Sequence, residues 1–281
     1  MEPPQSPKAV LAQRGLSPKH HFGQNFLVDR SIIERIAALA TPRPGTVIEL
    51  GAGLGALTRA LLERANLVIA IERDRDLIPL LEQDFSIDLG AGRLRLLECD
   101  AKSIEPAALF AEGQPPYTLC GNLPYQITGP LMRLAMAHAR SFERAVFLVQ
   151  LEVAQRLAAG PGSEDYGALS VFAQASFNVK REFVVRRGAF FPQPRVDSQV
   201  VSLQPRTDPI AETSLFSNLV SAAFEKRRKQ LGNAWRGLPG VDHSRIVKAA
   251  ELAGIDLQAR GETLSGSDFH RMERAIEELA R

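Results

Sequence analysis

The chain has 281 residues, 45% of them hydrophobic and 23% charged, an ordinary balance for a globular protein with room for one large domain and a smaller one. Its net charge of +2 is too small to draw a polyanion by overall charge, so any nucleic-acid contact needs local clusters. No apolar h-region follows Met1-Glu2-Pro3-Pro4 and no long uncharged apolar run occurs later, which argues against secretion and membrane insertion and makes a cytoplasmic location the expectation.

Residues 1–20 are rich in proline and polar groups and carry Lys8, Arg14 and Lys19, the pattern of a flexible, mildly basic arm. His21-Phe22-Gly23-Gln24-Asn25-Phe26-Leu27 follows. It reads either as a loop plugging its phenylalanines into the core or as a lid whose Asn25 hydrogen-bonds a ligand. His20 and His21 lack a Cys or acidic partner at ligand spacing, so no metal is expected. Ser31-Ile32-Ile33-Glu34 has the form of a capping box ahead of an apolar helical stripe, which Pro42, Pro44 and Gly45 stop. Thr46–Leu50 is a β-branched strand, followed at once by Gly51-Ala52-Gly53-Leu54-Gly55 and a helix expected over 56–65. Strand, glycine turn and helix start form a loop for an adenosine-containing cofactor, because glycines let backbone N–H groups approach the ligand closely.

Val68-Ile69-Ala70-Ile71-Glu72 is the second strand, and its acid lies about twenty residues past the first glycine, where a carboxylate can accept both ribose hydroxyls. Asp74 is expected to cap the next helix, running to about Phe85, with Pro79 kinking it. Residues 93–98 alternate like an edge strand that Cys99-Asp100 closes. Asp100 reads equally as a reader of an adenine amine and as a surface acid. Tyr117-Thr118-Leu119-Cys120 is a buried strand leaving through Gly121 into Asn122-Leu123-Pro124-Tyr125. Cys99 and Cys120 each close a strand in this reading and behave as small apolar residues, so nothing requires an oxidising compartment.

Each part of Asn122-Leu123-Pro124-Tyr125 suits a flat base with an exocyclic amine. The Asn122 amide oxygen and a main-chain carbonyl accept from an NH₂ group, proline fixes the backbone, and the Tyr125 ring offers a stacking face worth ~1–3 kcal/mol. In isolation the same four residues also read as a strand exit with a turn and a packed tyrosine. Helical residues 128–139, a strand over 144–150 and a helix over 152–159 come next, and Gly160 and Gly162 mark the last helix end. Paired β-segments over 178–185 and 196–203 flank the turn Phe190-Phe191-Pro192-Gln193-Pro194-Arg195. The pattern predicts an α/β fold whose sheet is mostly parallel with an antiparallel edge, in a domain over 21–205. Residues 206–281 read as a small all-helical domain, with helices over 215–235, 244–253 and 267–279. Inside the first lies Phe224-Glu225-Lys226-Arg227-Arg228-Lys229, either a solvated helix surface or a phosphate-contact patch.

Gly51, Gly53 and Ala56 also satisfy the dinucleotide pattern Gly-x-Gly-x-x-Ala, which keeps an oxidoreductase in play. Glu49 before the glycines, Asp100 on the third strand and Asn122-Leu123-Pro124-Tyr125 on the fourth distinguish the cases. Together they resemble the S-adenosylmethionine-dependent methyltransferases that modify an exocyclic amine of adenine. More narrowly, the chain is similar to the small-subunit ribosomal RNA adenine dimethyltransferases, the kasugamycin-resistance family. The likeness covers nearly the whole chain, including Phe22-Gly23-Gln24-Asn25-Phe26-Leu27, Glu49-Leu50-Gly51-Ala52-Gly53-Leu54-Gly55, Phe191-Pro192-Gln193-Pro194-Arg195-Val196-Asp197-Ser198 and the basic run at 224–229.

The resemblance implies a Rossmann-like methyltransferase sheet with S-adenosyl-L-methionine as donor and S-adenosylhomocysteine as product. It implies N6-dimethylation of two adjacent adenosines near the 3′ end of small-subunit ribosomal RNA during subunit biogenesis. Asn25 and Leu27 would hold the methionine end of the cofactor and Gly51 would line its site. Glu72 would bind the ribose, Asp100 the adenine amine, and Asn122 would face cofactor and target alike. Asn122, Leu123, Pro124, Tyr125 and Phe191 would form the catalytic group, with Phe191 covering the base face opposite Tyr125. Lys226, Arg227, Arg228 and Lys229 would contact RNA. The partner is then the small ribosomal subunit, with a monomeric enzyme and neither membrane nor metal. The related large-subunit adenine methyltransferases that confer antibiotic resistance, and a non-catalytic assembly factor on the same scaffold, are the alternatives; Leu123 and the Phe-Phe-Pro-Gln-Pro stretch favour the small subunit. Two positions depart from the family pattern. Ala52 stands where relatives often have proline, which should loosen the turn, and His21 replaces a basic residue, making that charge depend on pH.

Overall fold

The structure, a computed structural model, describes residues 6–225 and 228–280. Ser6 caps the first helix, α1 (Pro7–Gln13), by accepting from the Ala9 N–H, and Pro7 occupies its first turn, where a missing donor costs nothing. Within the stretch expected to be a flexible arm, Pro7–Gln13 is thus helical. Leu11 is buried with Phe26, Leu77 and Leu80, so apolar burial outweighs the proline-rich, polar composition around it. After the short strand β1 (Phe26–Leu27) comes α2 (Arg30–Ala40). Its cap is Asp29 rather than Ser31: the Asp29 carboxylate accepts from the Ile32 N–H at 3.2 Å and from the Ser31 hydroxyl at 2.7 Å.

The chain then alternates through β2 (Thr46–Leu50), α3 (Ala56–Leu62), β3 (Leu67–Glu72), α4 (Ile78–Asp84), α5 (Ser86–Gly90), β4 (Leu94–Glu98), α6 (Pro106–Phe110), β5 (Tyr117–Asn122), α7 (Thr128–Ala137) and β6 (Arg144–Gln150). Pro79 falls in the first turn of α4 and kinks nothing. Next are α8 (Leu151–Ala158), α9 (Ala168–Ser176), β7 (Phe177–Val185), β8 (Phe190–Phe191) and β9 (Ser198–Pro205). The main sheet has the order β4-β3-β2-β5-β6-β9-β7, and β1 pairs separately with β8. Strands β2 to β6 run parallel, and β9 joins β6 antiparallel, from Ala145 opposite Leu203 to Gln150 opposite Ser198. The chain runs outward from β2 to one edge, then returns to the middle for β5. The β2–β5 boundary is therefore a topological switch point, where open α/β sheets hold ligands at the strands' carboxyl ends. Cys120 lies inside β5, which continues to Asn122. Gly121 is required there, since a Cβ would come within 2.5 Å of the Leu50 carbonyl oxygen on the neighbouring strand.

The described chain divides into two compact units, one running through Ala154 and including Lys180–Pro205, the other made of Gln155–Val179 and the residues from Arg206 onward. Residues 155–179, expected in the sheet domain, thus group with the helical one. Val171 and Ala175 of α9 are buried in the same core as Phe216, Leu219, Trp235 and Phe269. That unit is built by α10 (Ser214–Glu225), α11 (Leu231–Ala234), α12 (His243–Ala253) and α13 (Gly266–Glu278). Trp235 is fully buried and its indole N–H donates to the Leu219 carbonyl at 2.9 Å, satisfying the one polar atom that burial would otherwise strand. The single helix expected over 215–235 is two helices, with Arg228 in a turn and Lys229 in a bend between them. Among the described residues no helix is long and apolar enough to cross a membrane.

Candidate active site

A cavity of about 150 Å³ opens at the carboxyl ends of β2, β3 and β5, lined by Asn25, Gly51, Glu72, Asp100, Asn122 and Tyr125, with Leu27, Leu123 and Pro124 beside them. One water needs ~10–15 Å³ on this measure, so the space is ligand-sized. Gly51, Gly53 and Gly55 have φ of +86°, +58° and +76°, a left-handed path that L side chains rarely take. A Cβ on Gly51 would find nothing closer than the Asn122 carbonyl oxygen at 3.9 Å, so its open face belongs to the cavity. Ala52 does not loosen the turn: its N–H donates to the Ile71 carbonyl at 3.0 Å, next to the Gly51 N–H at 2.9 Å. A proline at that position has no such donor.

Glu72 ties the glycine loop to β3. One carboxylate oxygen accepts from the Gly53 N–H at 2.7 Å, and the other accepts from Arg73 and Asp74 N–H groups at 2.8 and 2.7 Å. Burial pushes its pKa up, and these backbone donors oppose that rise. The ribose contact expected from the sequence must therefore share this carboxylate with the loop. Asp100 accepts from the Lys102 N–H at 3.0 Å, and its other oxygen lies 3.4 Å from Arg73 and from Lys102 side-chain nitrogens. It is a half-exposed acceptor held in place at the cavity edge, rather than a free surface acid.

Glu49, fully buried behind the glycines, accepts from the Thr58 hydroxyl at 2.6 Å. Burial raises its pKa from 4.5 to about 8, partly opposed by that hydrogen bond and reinforced by the neighbouring Glu72 charge. Two carboxyls thus flank the loop with different tasks: Glu49 is a protonated structural acid at neutral pH, and Glu72 is the acceptor. The folded state holds the Glu49 proton more tightly than the unfolded chain does. Folding stability therefore falls as pH rises from 4.5 through about 8, by up to ~1.4 kcal/mol per pH unit. Glu49→Gln keeps the size and the acceptor and removes that dependence. In urea melts the variant should match wild type near about pH 5 and exceed it near about pH 8. Parallel pH profiles of the two proteins would contradict this.

The amide of Asn122 is oriented by its neighbour across the cavity. Its Nδ2 donates to the Asn25 main-chain carbonyl at 2.9 Å, and Asn25 Nδ2 in turn donates to the Gly23 carbonyl at 3.1 Å. This assigns Oδ1 of Asn122 as the acceptor left to the cavity. The Leu123 N–H is spent on the Leu148 carbonyl at 3.0 Å and the Pro124 carbonyl accepts from the Ile127 N–H at 3.0 Å, which sets the backbone around the Leu123 carbonyl. The Tyr125 hydroxyl lies 2.8 Å from the Ser198 hydroxyl, and burial raises the Tyr125 pKa, so the ring stays neutral. Ser198 on β9 is completely buried and anchors that ring.

Phe191 stands on the short strand β8. It is paired with Phe26 across β1 and β8, packs against the Leu11–Leu77–Leu80 cluster, and is absent from the lining, where Phe26 stands instead. Of the basic run, Arg228 and Lys229 are exposed, and Lys226 and Arg227 lie outside the described residues. Asp74 does not cap α4. Its carboxylate takes the Gln24 amide at 2.7 Å, the Lys19 ammonium and the Asp76 N–H at 3.1 Å. Ser198, Gln24 and Asp74 were thus not singled out as site residues by the sequence. Only the amide pair Gln24-Asn25 and the acid two residues past Glu72 hinted at them. Among the described residues no group of three or more His, Cys, Asp or Glu could hold a metal ion.

The chain matches the family model "Ribosomal RNA adenine dimethylase" over residues 15–278. It is 42% identical to "Ribosomal RNA small subunit methyltransferase A" of Anaeromyxobacter sp. (strain K), an alignment spanning 96% of this chain and 98% of that one. In fold it is similar to a dimethyladenosine transferase from Plasmodium falciparum (TM-score 0.77, 23% identity, covering 91% of this chain and 98% of that chain). It is also similar to the 23S rRNA methyltransferase ErmE (TM-score 0.64, 28% identity, covering 90% and 100%). By that match and that identity, the chain whose sheet, glycine loop and Asn-Leu-Pro-Tyr exit build this site belongs to the ribosomal RNA adenine dimethylase family.

Proposed function

We infer that this protein transfers methyl groups from S-adenosyl-L-methionine to the exocyclic N6 of adenines in small-subunit ribosomal RNA, two adjacent adenosines near the 3′ end each being dimethylated. The observation that carries the reading is the Asn122 amide, whose nitrogen is held by the Asn25 carbonyl and whose oxygen is thereby set as an acceptor toward a cavity that Leu123 also lines. The cavity fits the cofactor chemically. Open-faced Gly51 admits close approach, Glu72 would accept from ribose hydroxyls and Asp100 from the adenine amine, and Asn25 and Leu27 would hold the methionine end, all of them lining the cavity. Bound there, the cofactor supplies an electrophilic sulfonium methyl.

The residues of this chain handle the acceptor. The N6 lone pair of adenine is delocalised into the ring and is a poor nucleophile. Asn122 Oδ1 and the Leu123 carbonyl accept its two N–H bonds and draw the nitrogen toward pyramidal geometry, and Pro124 holds the backbone for both. Tyr125 stacks on the base and aligns it. Once nitrogen carries positive charge its proton is acidic, and solvent takes it. Positioning and preorganised acceptors do the work, with no titrating base. Residues from Arg206 onward, with Arg228 and Lys229, make the RNA contact.

The Tyr125–Ser198 hydrogen bond orders the stacking ring. Tyr125→Phe and Ser198→Ala should each destabilise the fold by about 1 kcal/mol, with a combined loss no greater than either alone. Additive losses in urea unfolding would show that the two hydroxyls act separately. For the activity itself, labelled S-adenosylmethionine is incubated with unmethylated small- and large-subunit particles and the RNA is digested to nucleosides. Label in N6,N6-dimethyladenosine from the small subunit is expected, the family being named for adenine dimethylation and the 42% identical relative for the small subunit. Label confined to large-subunit RNA would move the chain to the 23S rRNA methylation for which ErmE is named; no label on adenine would refute methylation of this base.

A further inference from the structure

The segment 21–25 serves two sites at once. Its residues line the cofactor cavity, and the Asn25 carbonyl holds the acceptor amide of Asn122. What holds the segment itself is a hydrogen-bonded ring anchored on Asp74. The Gln24 Nε2 donates to Asp74 Oδ2 at 2.7 Å, Lys19 Nζ donates to Asp74 Oδ1 and pairs with Asp76 at 2.6 Å, and the Lys19 N–H closes the ring on Gln24 Oε1 at 2.7 Å. The Asp74 side chain is only 2% exposed, so these charge-assisted bonds are little screened. The Asp74 N–H in turn donates to Glu72. A continuous chain of bonds thus runs from Glu72 through Asp74 and Gln24 to Asn25 and Asn122, while Asp74 itself stands outside the cofactor cavity.

We propose that Gln24 and Asp74 are positioning residues: their hydrogen bond latches the segment 21–25 in the one placement that both closes the cofactor cavity and holds the Asn122 amide. The inference rests on the methyltransferase reading above. A segment latched in advance lets cofactor and RNA bind without either ordering it. An unlatched segment occupies the competent placement only part of the time, and the apparent affinity of whichever ligand binds first falls by that fraction. The ligand that binds second then finds the segment already placed, and by linkage the rescue works in both directions.

The test measures equilibrium binding of labelled S-adenosylhomocysteine to the full-length protein, alone and with saturating unmethylated small-subunit particles, together with kcat and KM. Gln24→Ala should weaken binding to the free protein by about ten-fold, the size of one hydrogen bond to a charged group. Saturating particles should restore affinity to within about two-fold of wild type, and the loss in turnover should fall on KM for the cofactor more than on kcat. Asp74→Asn should behave alike. The reversed pair Gln24→Glu with Asp74→Asn, which again sets one amide against one carboxylate, should recover binding to the free protein, and it guards against a single variant that fails to fold. Equal weakening with and without particles would mean that Gln24 acts by touching the cofactor, and overturns the latch. So does unchanged affinity, or a reversed pair no better than Asp74→Asn. A wild-type protein that methylates no adenine removes the functional reading, whereas an active wild type with an unrescued Gln24→Ala removes the latch alone.

Discussion

Asn122→Ala is expected to bind S-adenosylhomocysteine within about two-fold of wild type while kcat falls by about 10²–10³-fold, the cost of deleting one preorganised polar group from a reacting centre. The asymmetry comes from where the bonds go. Asn122 Nδ2 is engaged by the Asn25 carbonyl, and Oδ1 serves the acceptor amine, so truncation removes a transition-state contact more than a cofactor contact. The loss should fall on kcat, because the Tyr125 face and the RNA contacts that set KM remain. Asn122→Asp is the sharper variant. It keeps an oxygen acceptor but places a carboxylate against the Asn25 carbonyl in place of the donor, so the side chain must turn away. Its kcat should fall nearly as far as that of Asn122→Ala. Near-normal turnover in either variant, measured as labelled methyl incorporation, contradicts the clamp.

Glu72→Ala should fail one step earlier, at cofactor binding. The carboxylate accepts from the N–H groups of Gly53, Arg73 and Asp74, so its removal strands three donors at once and frees the glycine turn to move. Losing the charged ribose acceptor alone costs about 1.5–3 kcal/mol, and the relaxed turn adds to it. S-adenosylhomocysteine affinity by calorimetry should drop by about 10²-fold or more, with a lower melting temperature from the orphaned donors. A variant that binds within about two-fold of wild type would mean that the ribose contact is made elsewhere.

The fold was readable because strands 46–50, 68–72 and 117–120 carry apolar runs, the first and third of them broken by Gly51 and Gly121 at the cavity. The cofactor side was readable for the same reason: a glycine turn and an acid at fixed spacing are local signals. The latch and the ring anchor were not readable. Gln24 meets Asp74 fifty positions away, and Tyr125 meets Ser198 seventy-three positions away; such pairings exist only once the sheet order is known. Local grammar also misled, as three of its failures show. Ser31 looked like a cap, yet Asp29 two residues earlier accepts the free N–H. The residues before His21 looked like an arm because proline and charge outnumber apolar groups, yet Leu11, with Val10 and Leu16 beside it, packs α1 against the Phe26 cluster. Residues 155–179 follow the sheet in sequence, but α9 buries Val171 and Ala175 with the helical core, so the second unit is assembled from two separated stretches.

The clamp on the acceptor nitrogen is tested most directly by a crystal structure of this protein with S-adenosylhomocysteine and an adenine-bearing RNA fragment. N6 should sit within hydrogen-bond distance, about 2.7–3.2 Å, of both Asn122 Oδ1 and the Leu123 carbonyl oxygen, with the Tyr125 ring parallel to the base. An adenine seated with N6 away from those two oxygens, or an Asn122 side chain swung out toward solvent, would contradict it.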